Sequence, residues 1–164
     1  MIDVWCDGSS YPPNYLQRYS DPDTVKRVMV IIPALDSGLI ERFDSQVGHE
    51  LFAIQRAYQF CMERVKGSGF LIHSDHAGSI ARAAKGGVPK DCLRYSPPQE
   101  PHIADAMLKR IVGRAYYKRI TEGIVKQRRP ETPLHIELER LWKAEQQEFK
   151  LSESPLYASF LSQT

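Results

Sequence analysis

The sequence has no uninterrupted apolar run approaching the length of about 18 residues that a membrane-spanning helix needs, so no such span is expected. Met1-Ile2-Asp3-Val4-Trp5 lacks a basic stretch followed by an apolar one, so no secretory signal is expected either. Cysteine is scarce. Cys6, Cys61 and Cys92 are odd in number and far apart, which argues for reduced thiols in a cytoplasmic protein rather than a disulfide framework or a zinc knuckle. Charge of one sign is also missing overall: 22 Lys and Arg against 20 Asp and Glu leave a net charge of +2. Internal repeats and low-complexity segments are absent. What remains is 164 residues, 42% hydrophobic and 26% charged, enough for one globular domain with a real core.

The charge that is present is unevenly placed. Lys109, Arg110, Arg114, Lys118, Arg119, Lys126, Arg128 and Arg129 are opposed between residues 109 and 129 only by Glu122. Eight positive against one negative is +7, so the rest of the chain carries −5. Such asymmetry is a footprint of nucleic-acid binding, although a solvated helix face has the same composition.

Hydropathy periods give the element order. Ile2-Asp3-Val4-Trp5-Cys6 alternates as a strand and runs into an Asp7-Gly8-Ser9 turn. Residues 10–23, with Pro12, Pro13, Asn14 and Pro22, read as a loop. Val28-Met29-Val30-Ile31-Ile32 is a β-branched run suited to a strand buried on both faces. Pro33 ends it, Asp36-Ser37-Gly38 supplies a turn, and residues 39–43 return antiparallel. A helix from about Val47 to Lys66 carries Leu51, Ile54, Tyr58, Cys61 and Val65 on one stripe. Residues 70–72 form a fourth strand ending at His73-Ser74-Asp75, residues 77–85 a short helix, and residues 92–95 a fifth strand. A long helix begins near Pro101 with Ile103, Met107, Ile111 and Val112 inward. A further helix, Leu134 to Phe149, is expected to present Leu134, Leu138, Leu141, Trp142 and Phe149. Three antiparallel strands followed by alternating strands and helices imply an α/β fold on a five-stranded mixed sheet. Residues 1–127 form the expected domain, and residues 128–164 a helical extension packed on or beside it.

Four acids fall where such a fold gathers its strand ends and helix starts. Asp7 follows the first strand and Asp75 the fourth. Glu50 and Asp105 lie in first helical turns. Carboxylates packed together resist ionisation unless a cation compensates, and oxygen-only ligation suits Mg²⁺ or Mn²⁺. Each acid also has a plainer role open to it: a turn former at Asp7, a helix-dipole partner at Glu50, an N-cap at Asp75. His49, His73 and His76 raise a zinc alternative, and Tyr11, Tyr15 and Tyr19 could stack on bases.

Three stretches together resemble the type I ribonuclease H family and its relatives. They are Val4-Trp5-Cys6-Asp7-Gly8-Ser9, His49-Glu50-Leu51-Phe52-Ala53-Ile54-Gln55-Arg56-Ala57, and Leu71-Ile72-His73-Ser74-Asp75-His76-Ala77-Gly78-Ser79-Ile80. The resemblance covers residues 1 to about 115. It implies a ribonuclease-H-like fold and an endonuclease that cuts the RNA strand of RNA–DNA hybrids. It also implies that Asp7, Glu50 and Asp75 hold two metal ions, which activate the attacking water and stabilise the leaving 3′-oxygen. Asp105 would complete the second ion's shell, and His102 would shuttle a proton or help product leave. Ser9, Lys109, Arg110 and Arg114 would contact the nucleic acid.

Two departures bear on the substrate. The segment after Asp-Gly-Ser is Ser10-Tyr11-Pro12-Pro13-Asn14-Tyr15, where the family carries a glycine-rich turn. Only Gly86 to Asp91 joins the second helix to the next strand, where many members insert a basic handle. A nuclease of the same fold acting on DNA junctions or single strands is therefore one alternative. A non-catalytic module that binds nucleic acid or protein is another.

Overall fold

A computed structural model describes residues 1–11, 25–43, 48–65, 69–97, 100–111 and 132–162. The alternation that opens the sequence continues beyond the expected turn. Strand β1 runs Ile2–Tyr11, so Asp7-Gly8-Ser9 lies inside a strand and Asp7 is not at its end. The reason is pairing: β1 is matched antiparallel with β2 (Val25–Ile32) from Trp5↔Ile31 to Tyr11↔Val25, and that ladder fixes the backbone through Gly8.

The reversal after β2 is a single 3₁₀ turn, Pro33–Leu35, closed by Asp36 in the left-handed region at φ 51°. Ser37 and Gly38, expected in the turn, open β3 (Ser37–Arg42). Helix α1 spans His49–Arg64, β4 Phe70–Ser74, α2 Ala77–Lys85 and β5 Leu93–Tyr95. Residues 103–111 are helical (α3), α4 is Pro133–Lys143, β6 is Gln146–Lys150 and α5 is Pro155–Ser162.

Among the described residues the fold is α/β, with a six-stranded mixed open sheet ordered β5-β4-β1-β2-β3-β6 and five helices. β1 pairs parallel with β4, and β4 with β5; β1–β2, β2–β3 and β3–β6 are antiparallel. The sixth strand corrects two expectations at once, a five-stranded sheet and an all-helical extension. The helix expected over Leu134–Phe149 stops at Lys143, and the apolar period drops from 3.6 to 2 beyond it. Gln146, Glu148 and Lys150 face solvent while Gln147 and Phe149 turn inward. An edge strand needs little hydrophobicity, so Gln146-Gln147-Glu148-Phe149-Lys150 carried no apolar signal of its own. Its anchor is Phe149, whose ring lies against Gly38 in the space a Cβ would fill.

Each face of the sheet carries a core. On one, Val4, Cys6, Val28, Val30, Ile32 and Leu39 pack under Ile54, Ala57, Phe60 and Cys61 of α1 and Ala83 of α2. On the other, Met29, Ile31 and Ile40 meet Met107, Leu108 and Ile111 of α3, Leu138 and Leu141 of α4, and Leu156 of α5. β2 is thus buried on both sides, as its β-branched run requires. The extension is tied to the sheet by polar contacts too. The buried Arg27 donates through Nη2 to the Trp142 carbonyl at 2.7 Å, and Asp36 accepts from the Ser152 N–H at 2.7 Å. No helix among the described residues is long and apolar enough to cross a membrane.

Candidate functional site

The site begins where β1 outruns β4. Their pairing ends at Trp5↔His73, whereas β1 and β2 stay paired to Tyr11↔Val25. The next odd residue after Trp5 is Asp7, which is 3% exposed. Beside it, Gly8 lets the start of α1 lie directly on the strand, since a Cβ there would collide with the His49 carbonyl. The glycine of the Asp-Gly-Ser motif is therefore a close-approach residue, not a turn former. That contact puts Glu50, in the first turn of α1, over β1, where its carboxylate also interacts with the Gly8 backbone.

Asp75 follows the last residue of β4. It is not the N-cap of α2: His76 takes that place, its Nδ1 accepting the Ser79 N–H at 3.0 Å and sitting 2.7 Å from Ser79 Oγ. The His76 N–H donates to Ser74 Oγ at 3.2 Å, which pins the turn that holds Asp75. Asp75 is thereby left facing Asp7 and Glu50. One oxygen from each of the three carboxylates lies within 4.8 Å of the others.

Asp105 stands one step outside that group. Its N–H donates to His102 Nδ1 at 3.1 Å, the hydrogen bond of a helix N-cap, and its carboxyl is hydrogen-bonded to Asp7. Lys109, one turn further along α3, places Nζ 3.0 Å from Asp105 Oδ2. His102 is half-buried. Its ring packs edge-on against Trp5, with centroids 5.2 Å apart, and its Nε2 is buried without a hydrogen-bond partner. Trp5 in turn stacks on His73 at 4.1 Å, and His73 Nε2 is 2.8 Å from Asp3 Oδ1. Trp5 thus lies between His73 of β4, the strand that runs into Asp75, and His102, which caps the helix carrying Asp105.

The electrostatics follow from the crowding. Burial, then the charges of Glu50, Asp105 and Asp75, push the Asp7 carboxyl up to about 10. Burial, then Asp75 and Asp105, push Glu50 up to about 8, against the opposing pull of the Gly8 backbone and Lys109. Burial lowers His102 and His49 from the ordinary histidine range. Burial and the same acids raise the Cys6 thiol, so it is an inert neighbour rather than a nucleophile.

Several hard oxygens pressed together, with Glu50 Oε2 buried and lacking any hydrogen-bond partner, are an arrangement that a cation stabilises. Two oxygens on one ion at 2.0–2.6 Å lie at most about 4–5 Å apart, and one oxygen of each of the three acids lies within 4.8 Å of the others. Asp7, Glu50 and Asp75 can hold a metal ion. The zinc alternative is not gathered in the same way: His73 is engaged with Asp3 and Trp5, and His76 with Ser79. No protein-family model, curated protein or solved structure matches the chain.

Of the nucleic-acid candidates, Lys109 lies beside Asp105, and Ser9 follows Asp7 and Gly8 on β1. Arg110 Nη1 donates to Ser159 Oγ of α5 at 2.8 Å. Arg114 lies outside the described residues, as do Tyr15, Tyr19 and most of the basic stretch. Trp5 and the capping role of His102 escaped the sequence reading. The spacing His102-Ile103-Ala104-Asp105 ahead of an apolar helical period held the second, since an N-cap side chain reaches the amide three residues on.

Proposed function

We propose that this chain is a metal-dependent endonuclease with a ribonuclease-H-like fold, hydrolysing the RNA strand of RNA–DNA hybrids with two Mg²⁺ or Mn²⁺ ions. One observation carries the reading: a strand, a helix and the end of a neighbouring parallel strand each deliver a carboxylate to one point, within 4.8 Å. The three antiparallel strands followed by parallel ones agree with the same reading. Bound there, the ions would supply an activated water and charge neutralisation at the scissile phosphate and the leaving 3′-oxygen.

The chain's own residues do the rest. Asp7, Glu50 and Asp75 hold the metal, and Asp105 adds a carboxylate on the α3 side. Gly8 keeps Glu50 over the strand, and the packed rings of Trp5, His73 and His102 would limit water beside the acids. Because His102 Nδ1 accepts the Asp105 amide, the neutral ring carries its proton on Nε2 and can only donate a hydrogen bond there; taking up a further proton to shuttle would require Nδ1 to give up the cap. Ser9 stands two residues beyond Asp7 on β1 and Lys109 pairs with Asp105; these, with Arg110 next to Lys109 on α3, would contact a phosphate backbone.

A second reading is a nuclease of the same fold acting on DNA. It is favoured by the segment Ser10-Tyr11-Pro12-Pro13-Asn14-Tyr15, which has no glycine where a glycine-rich turn would meet the RNA and whose first two residues are still part of β1. Cleavage of labelled RNA–DNA hybrid, duplex DNA, duplex RNA and single strands, with Mg²⁺, Mn²⁺ or EDTA, separates the two. Hybrid cutting that needs metal and falls at least about a thousandfold in Asp75→Asn is the expected result. Cutting of DNA alone selects the second reading. Nucleic-acid binding without cutting, unchanged by EDTA and by Asp75→Asn, would overturn both in favour of a binding module.

A further inference from the structure

Among the described residues, the four acids meet a single Lys or Arg ion partner. Lys109 Nζ is 3.0 Å from Asp105 Oδ2, with Asp7, Asp75 and Glu50 also in its electrostatic reach. His49 Nε2 comes within 3.7 Å of Glu50, but its ring is partly buried, and burial works against its positive form. The Lys109 side chain is 72% exposed, on a flexible four-carbon stem, while Asp105 is 25% exposed at the border of the cluster. An ammonium of this kind is easily moved, because water receives it at little cost.

We propose that Lys109 is the built-in counterion of the acid cluster, which an incoming divalent ion must displace before Asp105 can join the metal site. This rests on the metal-site reading above and adds an order of events to it. Without metal, the ammonium lies on Asp105 and offsets part of the repulsion among the carboxylates. A divalent ion near Asp105 repels the ammonium at a few ångströms and competes for the same oxygen. Once released, Nζ stands at the rim of the site, free to pair with a phosphate. Lys109 then serves the metal-free and the nucleic-acid-bound states with different partners, and metal binding passes it from one to the other.

The test is Mn²⁺ binding to the whole, metal-free chain, followed by titration calorimetry and by the loss of free Mn²⁺ signal in electron paramagnetic resonance, with no nucleic acid present. Lys109→Met is expected to tighten Mn²⁺ binding about three- to tenfold, and Lys109→Arg to leave it near the wild type. In the D105N background the same Lys109→Met change is expected to do less than about twofold, since the shared partner is gone. Equal or weaker Mn²⁺ binding in Lys109→Met would overturn the proposal and leave the metal site standing. Failure of the wild-type chain to bind Mn²⁺ would remove the metal site and this proposal together. A thermal melt of each variant separates these outcomes from a folding defect.

Discussion

Asp7 and Glu137 are each 3% exposed, yet their surroundings have opposite character. Glu137 Oε2 accepts the Leu156 N–H at 2.7 Å at the start of α5, and Arg140 Nη2 stands 3.9 Å from its other oxygen. The carboxylate meets the positive end of a helix and a cation, so its charge has partners. Asp7 meets Glu50, Asp75 and Asp105, all of its own sign. A fold keeps a buried carboxylate cheaply when a helix end or a cation answers it. Three more acids around the first make the metal-free fold less stable. The difference teaches that burial of an acid says nothing about function, whereas the sign of its neighbours does.

The largest expected effect comes from breaking the Asp7 side of that contrast. Asp7→Asn keeps the shape and removes the charge, so it should abolish metal binding and cut any metal-dependent cleavage at least about a thousandfold. The same change should stabilise the metal-free protein at neutral pH by roughly 1 kcal/mol or more. The sign comes from linkage. Asp7 is raised from 3.8 to about 10 and Glu50 from 4.5 to about 8, so both hold protons more tightly folded than unfolded. Their contribution is fully present below about pH 4 and is lost as pH climbs through 8 toward 10. Melting of the metal-free chain across this range should therefore fall with pH, fall less in Asp7→Asn, and be restored by Mg²⁺ in the wild type alone. A melting temperature that rises with pH would mean that the acids are not crowded as described.

A smaller effect tests what brings Glu50 to Asp7. Gly8→Ala puts a Cβ into the His49 carbonyl, so the start of α1 must lift from β1. Overpacking of this kind costs about 1–3 kcal/mol, and here it also draws Glu50 away from the other acids. Chemical denaturation should show the loss in stability, and calorimetry a weaker Mn²⁺ affinity. Unchanged values in both would mean that the close approach of helix and strand does not build the site.

Much of this was legible in the sequence, and the failures have physical causes. Helix α2 was readable to the residue, because Gly86-Gly87 closes it and a strand end precedes it. The triad was readable because its three motifs stand in the order the resemblance implies, with Glu50 and Asp75 at element borders, although Asp7 lies inside β1. The extent of β1 was not, since Asp-Gly-Ser has turn chemistry in isolation and only the ladder to Arg27, Val28 and Met29 overrides it. β6 was hidden because its one strong signal, Phe149, also fits the helical stripe of Leu138, Leu141 and Trp142. Local period could not distinguish the two; the space above Gly38 did.

The smallest effect belongs to the other buried acid. Glu137→Gln keeps an oxygen for the Leu156 N–H and loses the charge that faces the α5 start and Arg140. Losses at helix ends and weak ion pairs of this sort are worth about 0.5–1 kcal/mol. Denaturation should therefore show a small decrease in stability, opposite in sign to Asp7→Asn, while Mn²⁺ affinity and any cleavage stay at wild-type levels. A gain in stability would place Glu137 in the same class as Asp7, an acid held against its preference. A fall in metal affinity would couple α4 to the acid cluster through the shared core of α3 and α4, where Met107, Leu108 and Leu141 meet. The opposite signs of the two isosteric changes are what the contrast between the two carboxylates requires.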